Sequence, residues 1–166
     1  MANYLKDCLK KEYQPINLGK YLGTKRLICK SSWEYYLFTF FDTNENIKNW
    51  LYEEIKISYF NPVKNCYSVY FPDFFINVND VNSSARQYLI EVKPEKFLHK
   101  PILGAPPKTK NANTMRKYEQ TIRRYNTESL AYAQNSQKWS AARLWCAQHN
   151  ITFLLISEKN VPSFVQ

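Results

Sequence analysis

Glycine is scarce in this 166-residue sequence: Gly19, Gly23 and Gly104 are the full set. No G-x-G-x-x-G or Walker loop can be written with them, which removes those cradles for nucleotide phosphates. Histidine is scarcer, with only His99 and His149. That excludes a His-rich zinc hydrolase and makes a histidine general base unexpected. The four cysteines (Cys8, Cys29, Cys66 and Cys146) are scattered and form no C-x-x-C pair. Neither a disulfide framework nor a zinc cage is expected, and reduced thiols in a cytosolic setting fit better. The aromatic run from Tyr35 to Phe41 is far too short to span a bilayer. The first fourteen residues lack the apolar stretch of a signal peptide. No membrane partner is expected, and any catalysis must rest on carboxylates and lysines, with or without a metal ion.

What the sequence has in plenty is positive charge and aromatic rings. Lys and Arg number 23 against 14 Asp and Glu, a formal net charge of +9, and aromatics make up 16% of the chain. Such a balance points to an anionic partner, nucleic acid being the commonest, although basicity for solubility alone is the alternative. The length suits one domain over residues 1–166. Residues 1–25, with Lys6, Lys10, Lys11, Lys20 and Lys25 against Asp7 and Glu12, read as a basic N-terminal arm containing a short helix.

Ser31 followed three residues later by Glu34 matches a capping box. It opens a helix whose apolar face is Trp33, Leu37, Phe38, Phe40 and Phe41 and which stops near Asp42-Thr43-Asn44. Three strand-like runs follow: Ile47–Phe60, Tyr67–Val78 and Arg86–Lys93. Turn-forming residues between them predict an antiparallel meander. Prolines keep the segment from Pro94 to about Asn113 irregular. Two helices are then expected, one over 114–133 with Met115, Tyr118, Ile122, Tyr125 and Leu130 on one face. The second covers 136–149, with Trp139, Ala142, Leu144, Trp145 and Cys146 apolar. The nearly all-apolar Ile151–Ser157 reads as a strand buried on both faces.

The chemistry-bearing pair is Pro72-Asp73 with Glu91-Val92-Lys93, on adjacent strands of one hairpin. Glu91 and Lys93 are two apart and share a strand face. Asp73 and Glu91 together offer hard oxygens suited to Mg²⁺, with Lys93 beside them. An ordinary ion pair on a solvated strand face is the alternative.

Taken together, P-D-F-F, E-V-K and a preceding helix bearing Glu34 resemble the PD-(D/E)XK nuclease superfamily. The element order is similar to its restriction-endonuclease-like core, an α/β fold with a central mixed sheet flanked by helices. More narrowly, K-S-S-W-E-Y-Y, Y-F-P-D-F-F and Y-L-I-E-V-K-P resemble the head completion nucleases of large tailed phages. The stretch N-S-Q-K-W-S-A-A-R-L-W-C-A-Q-H-N-I-T-F-L-L-I-S-E is similar to transposon-encoded endonuclease subunits of the same superfamily. The resemblance implies an endonuclease that hydrolyses DNA with Mg²⁺, or Mn²⁺ in its place. Asp73, Glu91 and the carbonyl of Val92 would hold the metal. Lys93 would orient or deprotonate the attacking water, and Glu34 would act through water or on a second ion. Glu34 as a helix cap alone is the competing role. The implied setting is head–neck completion in the host cytoplasm, with incorporation into the virion and phage head or neck proteins as partners. A structural completion protein and a transposition or repair endonuclease are the alternatives, and a homo-oligomer is compatible with each.

A basic stretch follows the E-V-K strand: Lys96, Lys100, Lys108, Lys110, Arg116, Lys117, Arg123 and Arg124, opposed by Glu95 and Glu119. With Lys138, the cations from Lys108 onward are the candidate DNA-backbone contacts. A basic protein interface is the alternative for that stretch, and a solvated helix face is the alternative for Lys138.

Overall fold

The computed structural model describes residues 12–79, 86–109 and 111–160. Helix α1 covers Ser32–Thr43 and starts as expected. The Ser31 hydroxyl accepts from Glu34 N, and the Glu34 carboxylate returns the bond to the backbone at Ser31. Leu37, Phe38 and Phe41 of this helix are buried, whereas Trp33 is 39% exposed and lies outside the core.

Four strands form the central sheet: β3 (Ile47–Tyr52), β6 (Phe74–Val78), β7 (Arg86–Val92) and β8 (Thr152–Ile156), in the order β3-β6-β7-β8. The first three are antiparallel neighbours, and β8 lies parallel to β7. The meander therefore exists, but its first two runs are each divided. Ile47–Phe60 breaks at Glu53, which adopts a left-handed φ of 50°, and resumes as β4 (Ile57–Asn61). Tyr67–Val78 breaks at Pro72, which has no N–H to give a ladder, leaving β5 (Cys66–Tyr70) before β6. Among the described residues, β4 and β5 pair only with each other. The two ladders are one long ribbon with a bend, and Asp73 sits in the bend, where its carbonyl accepts from Glu53 N at 3.0 Å.

Alternation along β7 places Leu89 and Ile90 in different cores. Ile90 joins Phe38, Phe41, Trp50 and Phe74 under α1. Leu89 joins Ile57, Tyr59, Tyr70, Ala142 and Cys146 on the opposite face. α2 is a single helix over Ala112–His149, where two were expected. Neither Gly nor Pro occurs within it, and Asn135-Ser136 alone does not stop a packed helix. Leu130 and Leu144 are exposed on its outer side. Strand β8 is half-buried rather than covered on both faces, because it ends the sheet order instead of lying inside it.

Of the N-terminal segment, residues 1–11 lie outside the described residues. From Glu12 onward no helix forms; β1 (Glu12–Tyr13) pairs with β2 (Leu27–Ile28). Residues 20–22 run along β3, exchanging backbone bonds with Trp50. The buried Asp42 ties this segment down. It accepts from the Tyr13 hydroxyl at 2.9 Å, from Ile16 N at 2.6 Å and from Asn17 N at 3.1 Å.

Candidate active site

The β6–β7 register ends on the pair Phe74↔Ile90, so the next step sets Asp73 opposite Glu91. Val92 N donates to Asp73 Oδ2 at 2.7 Å. Glu91 and Lys93 share a face as the spacing requires, with Lys93 Nζ 2.7 Å from Glu91 Oε1. The same ammonium lies 4.0 Å from Asp73 Oδ2 and donates to the Val92 carbonyl at 3.1 Å. Three oxygens that the sequence assigns to a cation thus converge on one ammonium. Glu91 is 3% exposed, which removes the reading of a solvated ion pair.

Asp73, Val92, Lys93 and Glu34 line one cleft of about 130 Å³, together with Ser31, Trp33, Pro94 and Glu158. Glu91 lies beneath this lining and reaches the cleft through Lys93. Glu34 caps α1 and also lines the cleft. Its Oε2 accepts from Lys30 N and Ser31 N, while Oε1 meets the Tyr52 hydroxyl at 3.5 Å.

The charges are out of balance. Burial, then the Glu91 charge, pushes the Asp73 carboxyl up to about 7, against the opposing pull of Lys93 and the Val92 N–H. Burial disfavours the Lys93 ammonium, but Glu91 and Asp73 outweigh it and hold its pKa above the usual lysine value. Two buried carboxylates sharing one ammonium leave a deficit of positive charge.

Among the described residues, no group of three or more His, Cys, Asp or Glu side chains gathers into a ready-made metal centre. The donor set nonetheless fits a hard divalent ion. Two carboxylates and a carbonyl converge on the Lys93 ammonium, and hard oxygens of this kind suit such an ion.

Sequence reasoning missed Tyr70. Its hydroxyl donates to Glu91 Oε2 at 2.6 Å, and burial followed by the Glu91 charge drives its pKa far upward. Its place three residues before Asp73 was the available signal. Lys138 is half-buried, with its ammonium 5.5 Å from the centre of the Tyr70 ring and 5.8 Å from that of Tyr59. It therefore sits one ring away from Glu91.

The basic stretch is not part of the cleft. Lys108, Arg116, Lys117, Arg123 and Arg124 are exposed, and none lines it; Lys110 lies outside the described residues. Because β7 and β8 are parallel, α2 carries the chain from the Val92 end of the sheet back to the Tyr88 end. Its N-terminal half therefore runs past the cleft end. At 1.5 Å per residue, Arg124 and Arg116 lie about 21 and 33 Å along the helix from Lys138.

The geometry agrees with comparisons to known proteins. The chain is 28% identical over 148 residues to the head completion nuclease of Enterobacteria phage T4, covering 89% of each chain. No solved structure matches at a significant level. Residues 44–158, more than half of the chain and including Asp73, Glu91 and Lys93, match the model of the TnsA-like endonuclease N-terminal domain, so the chain belongs to that endonuclease family.

Proposed function

We propose that this protein is a divalent-metal-dependent DNA endonuclease acting at the head–neck stage of phage assembly. The observation that carries the reading is the convergence of Asp73 Oδ2, Glu91 Oε1 and the Val92 carbonyl on the Lys93 ammonium at 4.0, 2.7 and 3.1 Å. Asp73, Glu91 and Val92 would hold Mg²⁺, or Mn²⁺ in its place. Bound there, such an ion lowers the pKa of a coordinated water and clamps phosphate oxygens.

The side chains supply the rest. Lys93, kept protonated by its two carboxylates, donates to the attacking water and stabilises charge growing on the phosphate oxygens. Tyr70 fixes the orientation of Glu91 with a short hydrogen bond. Glu34 presents a carboxylate at the cleft wall while closing the first turn of α1. Lys138 and the exposed cations of α2 (Arg116, Lys117, Arg123 and Arg124), with Lys108 and Lys110, hold the DNA backbone.

The match to the phage nuclease over 89% of each chain favours head completion over transposition. The protein would then work in the host cytoplasm, join phage head or neck proteins and enter the virion. The test is plasmid cleavage in Mg²⁺, Mn²⁺ and EDTA by wild type, Asp73→Ala and Lys93→Arg. Wild type should cut in either ion and not in EDTA, Asp73→Ala should be inactive, and Lys93→Arg should lose most turnover because guanidinium lacks the compact ammonium. Cleavage by Asp73→Ala at the wild-type rate ends the assignment. Co-sedimentation of the protein with DNA-filled heads tests the assembly role.

A further inference from the structure

The β4–β5 ribbon is apolar and aromatic on both faces, which an antiparallel ribbon with one wet side does not require. Its inner residues, Ile57, Tyr59 and Tyr70, are buried in the core beneath α2. Its outer face carries the directly opposed pairs Ser58↔Val69 and Phe60↔Tyr67. Tyr67 is 78% exposed, Val69 58%, Phe60 41% and Phe71 38%. The Phe60 and Tyr67 rings meet edge to face at 5.7 Å.

The surroundings are cationic. From Lys56 to Pro72 there are two lysines, Lys56 and Lys64, and no acidic residue. The Lys25 ammonium lies 4.6 Å from the centre of the Phe71 ring. The acids that flank this stretch in the sequence are engaged, Glu53 by Lys25 and Lys30, Glu54 by the backbone of Thr24 and Lys25, and Asp73 by Lys93 and Val92 N. Rings flanked by lysines complement a polyanion that carries flat apolar faces.

We infer that the outer face of the β4–β5 ribbon is a stacking platform for unpaired DNA bases next to the cleavage site. The inference rests on the nuclease reading and adds to it a substrate class, DNA that is single-stranded or melted beside the cut. A fully paired duplex offers these rings nothing to stack on, and the outer face lacks the Arg, Asn or Gln that read base edges in a groove. Unpaired bases expose a π-face whatever their identity. The platform is joined to the site through the bend at Pro72: Phe71 is two residues from Asp73 and Tyr67 is six.

The test measures binding, in EDTA, of a fluorescent single-stranded oligonucleotide and of a duplex of equal length. The proteins are wild type, Phe60→Ser/Tyr67→Ser and the aromatic control Tyr67→Trp. Each lost stack should weaken single-strand affinity by roughly 5- to 100-fold. Duplex affinity should change less than twofold, and Tyr67→Trp should bind like wild type. Thermal melting of each variant confirms that the ribbon is folded, and Mg²⁺-dependent plasmid cutting is measured in parallel. Unchanged single-strand affinity in a folded, active double variant overturns the platform and leaves the nuclease reading intact. Unchanged affinity with altered self-association in sedimentation overturns it in favour of a protein interface. Loss of plasmid cutting by wild type itself strikes the nuclease reading, not this one.

Discussion

Replacing Asp73 by Asn should stabilise the metal-free protein, and only above a defined pH. The Asp73 carboxyl titrates near 7 rather than near its ordinary 3.8, chiefly through burial and then through the Glu91 charge. Below about pH 4 the acid is neutral in the folded and unfolded chains alike, and it costs nothing. Between about pH 4 and 7 the unfolded chain releases this proton while the folded chain keeps it, so stability falls as pH rises. Above pH 7 the penalty is complete. Each tenfold difference in acidity is worth about 1.4 kcal/mol, and the proton is shared with Glu91, so the penalty is on the order of 2–4 kcal/mol. Asn keeps the acceptor for Val92 N and removes the charge. Urea denaturation of both proteins in EDTA at pH 4.5, 6, 7 and 8 should therefore show curves that separate with rising pH. The variant should lead by at least 1–2 kcal/mol at pH 8. Saturating Mg²⁺ should raise wild type alone, by about 2.7 kcal/mol at a hundred times Kd. A variant that is less stable than wild type at pH 8, or a gap that does not grow with pH, would refute the charge-deficit argument.

Tyr70→Phe removes the donor to Glu91 Oε2; it should cost about 1–3 kcal/mol of stability and lower kcat by roughly 10–100-fold with little change in KM, read from single-turnover cleavage. Asp42→Ala strips the acceptor from Tyr13, Ile16 and Asn17 and should destabilise the protein by on the order of 3 kcal/mol or more, measured by chemical denaturation. Changing Arg116, Lys117, Arg123 and Arg124 together to Gln should flatten the log–log salt dependence of DNA binding by about 0.9 per lost phosphate contact, with Tm almost unmoved because exposed charges contribute little. An unchanged slope and affinity would assign that helix face to a protein partner.

Features governed by neighbours in the chain were legible in the sequence. Ser31 and Glu34 announced the start of α1 because a capping box closes within one turn. Glu91 and Lys93 announced their shared face because strand alternation has a fixed period of two. Features governed by distant partners were not. Nothing near Asp42 signals that it accepts three bonds from residues 13–17. Tyr70 is one of two tyrosines in its run and lies on β5, and only the bend between β5 and β6 brings its hydroxyl to Glu91. The division of Ile47–Phe60 into two strands depends on a left-handed Glu53, a conformation that no local residue preference favours there. The continuity of α2 through Asn135-Ser136 follows from Ala142 and Cys146 docking on the sheet, and packing of that kind overrides weak local breakers.

The bent ribbon also divides the chain into parts with different tolerance for change in length. Its closed end, residues 62–65, is held by the Asn61 side chain, which accepts from Val63 N and Lys64 N. Extra residues there would lengthen a loop and leave every pair from Ile57↔Tyr70 onward in place. The bend is the opposite case. One residue added between Glu53 and Ile57, or beside Pro72, would shift alternation by one and turn Tyr70 away from Glu91 or Asp73 away from Lys93. Grafted epitopes, reporter peptides and natural insertions therefore belong at the tip, while the segment around Asp73 keeps its length.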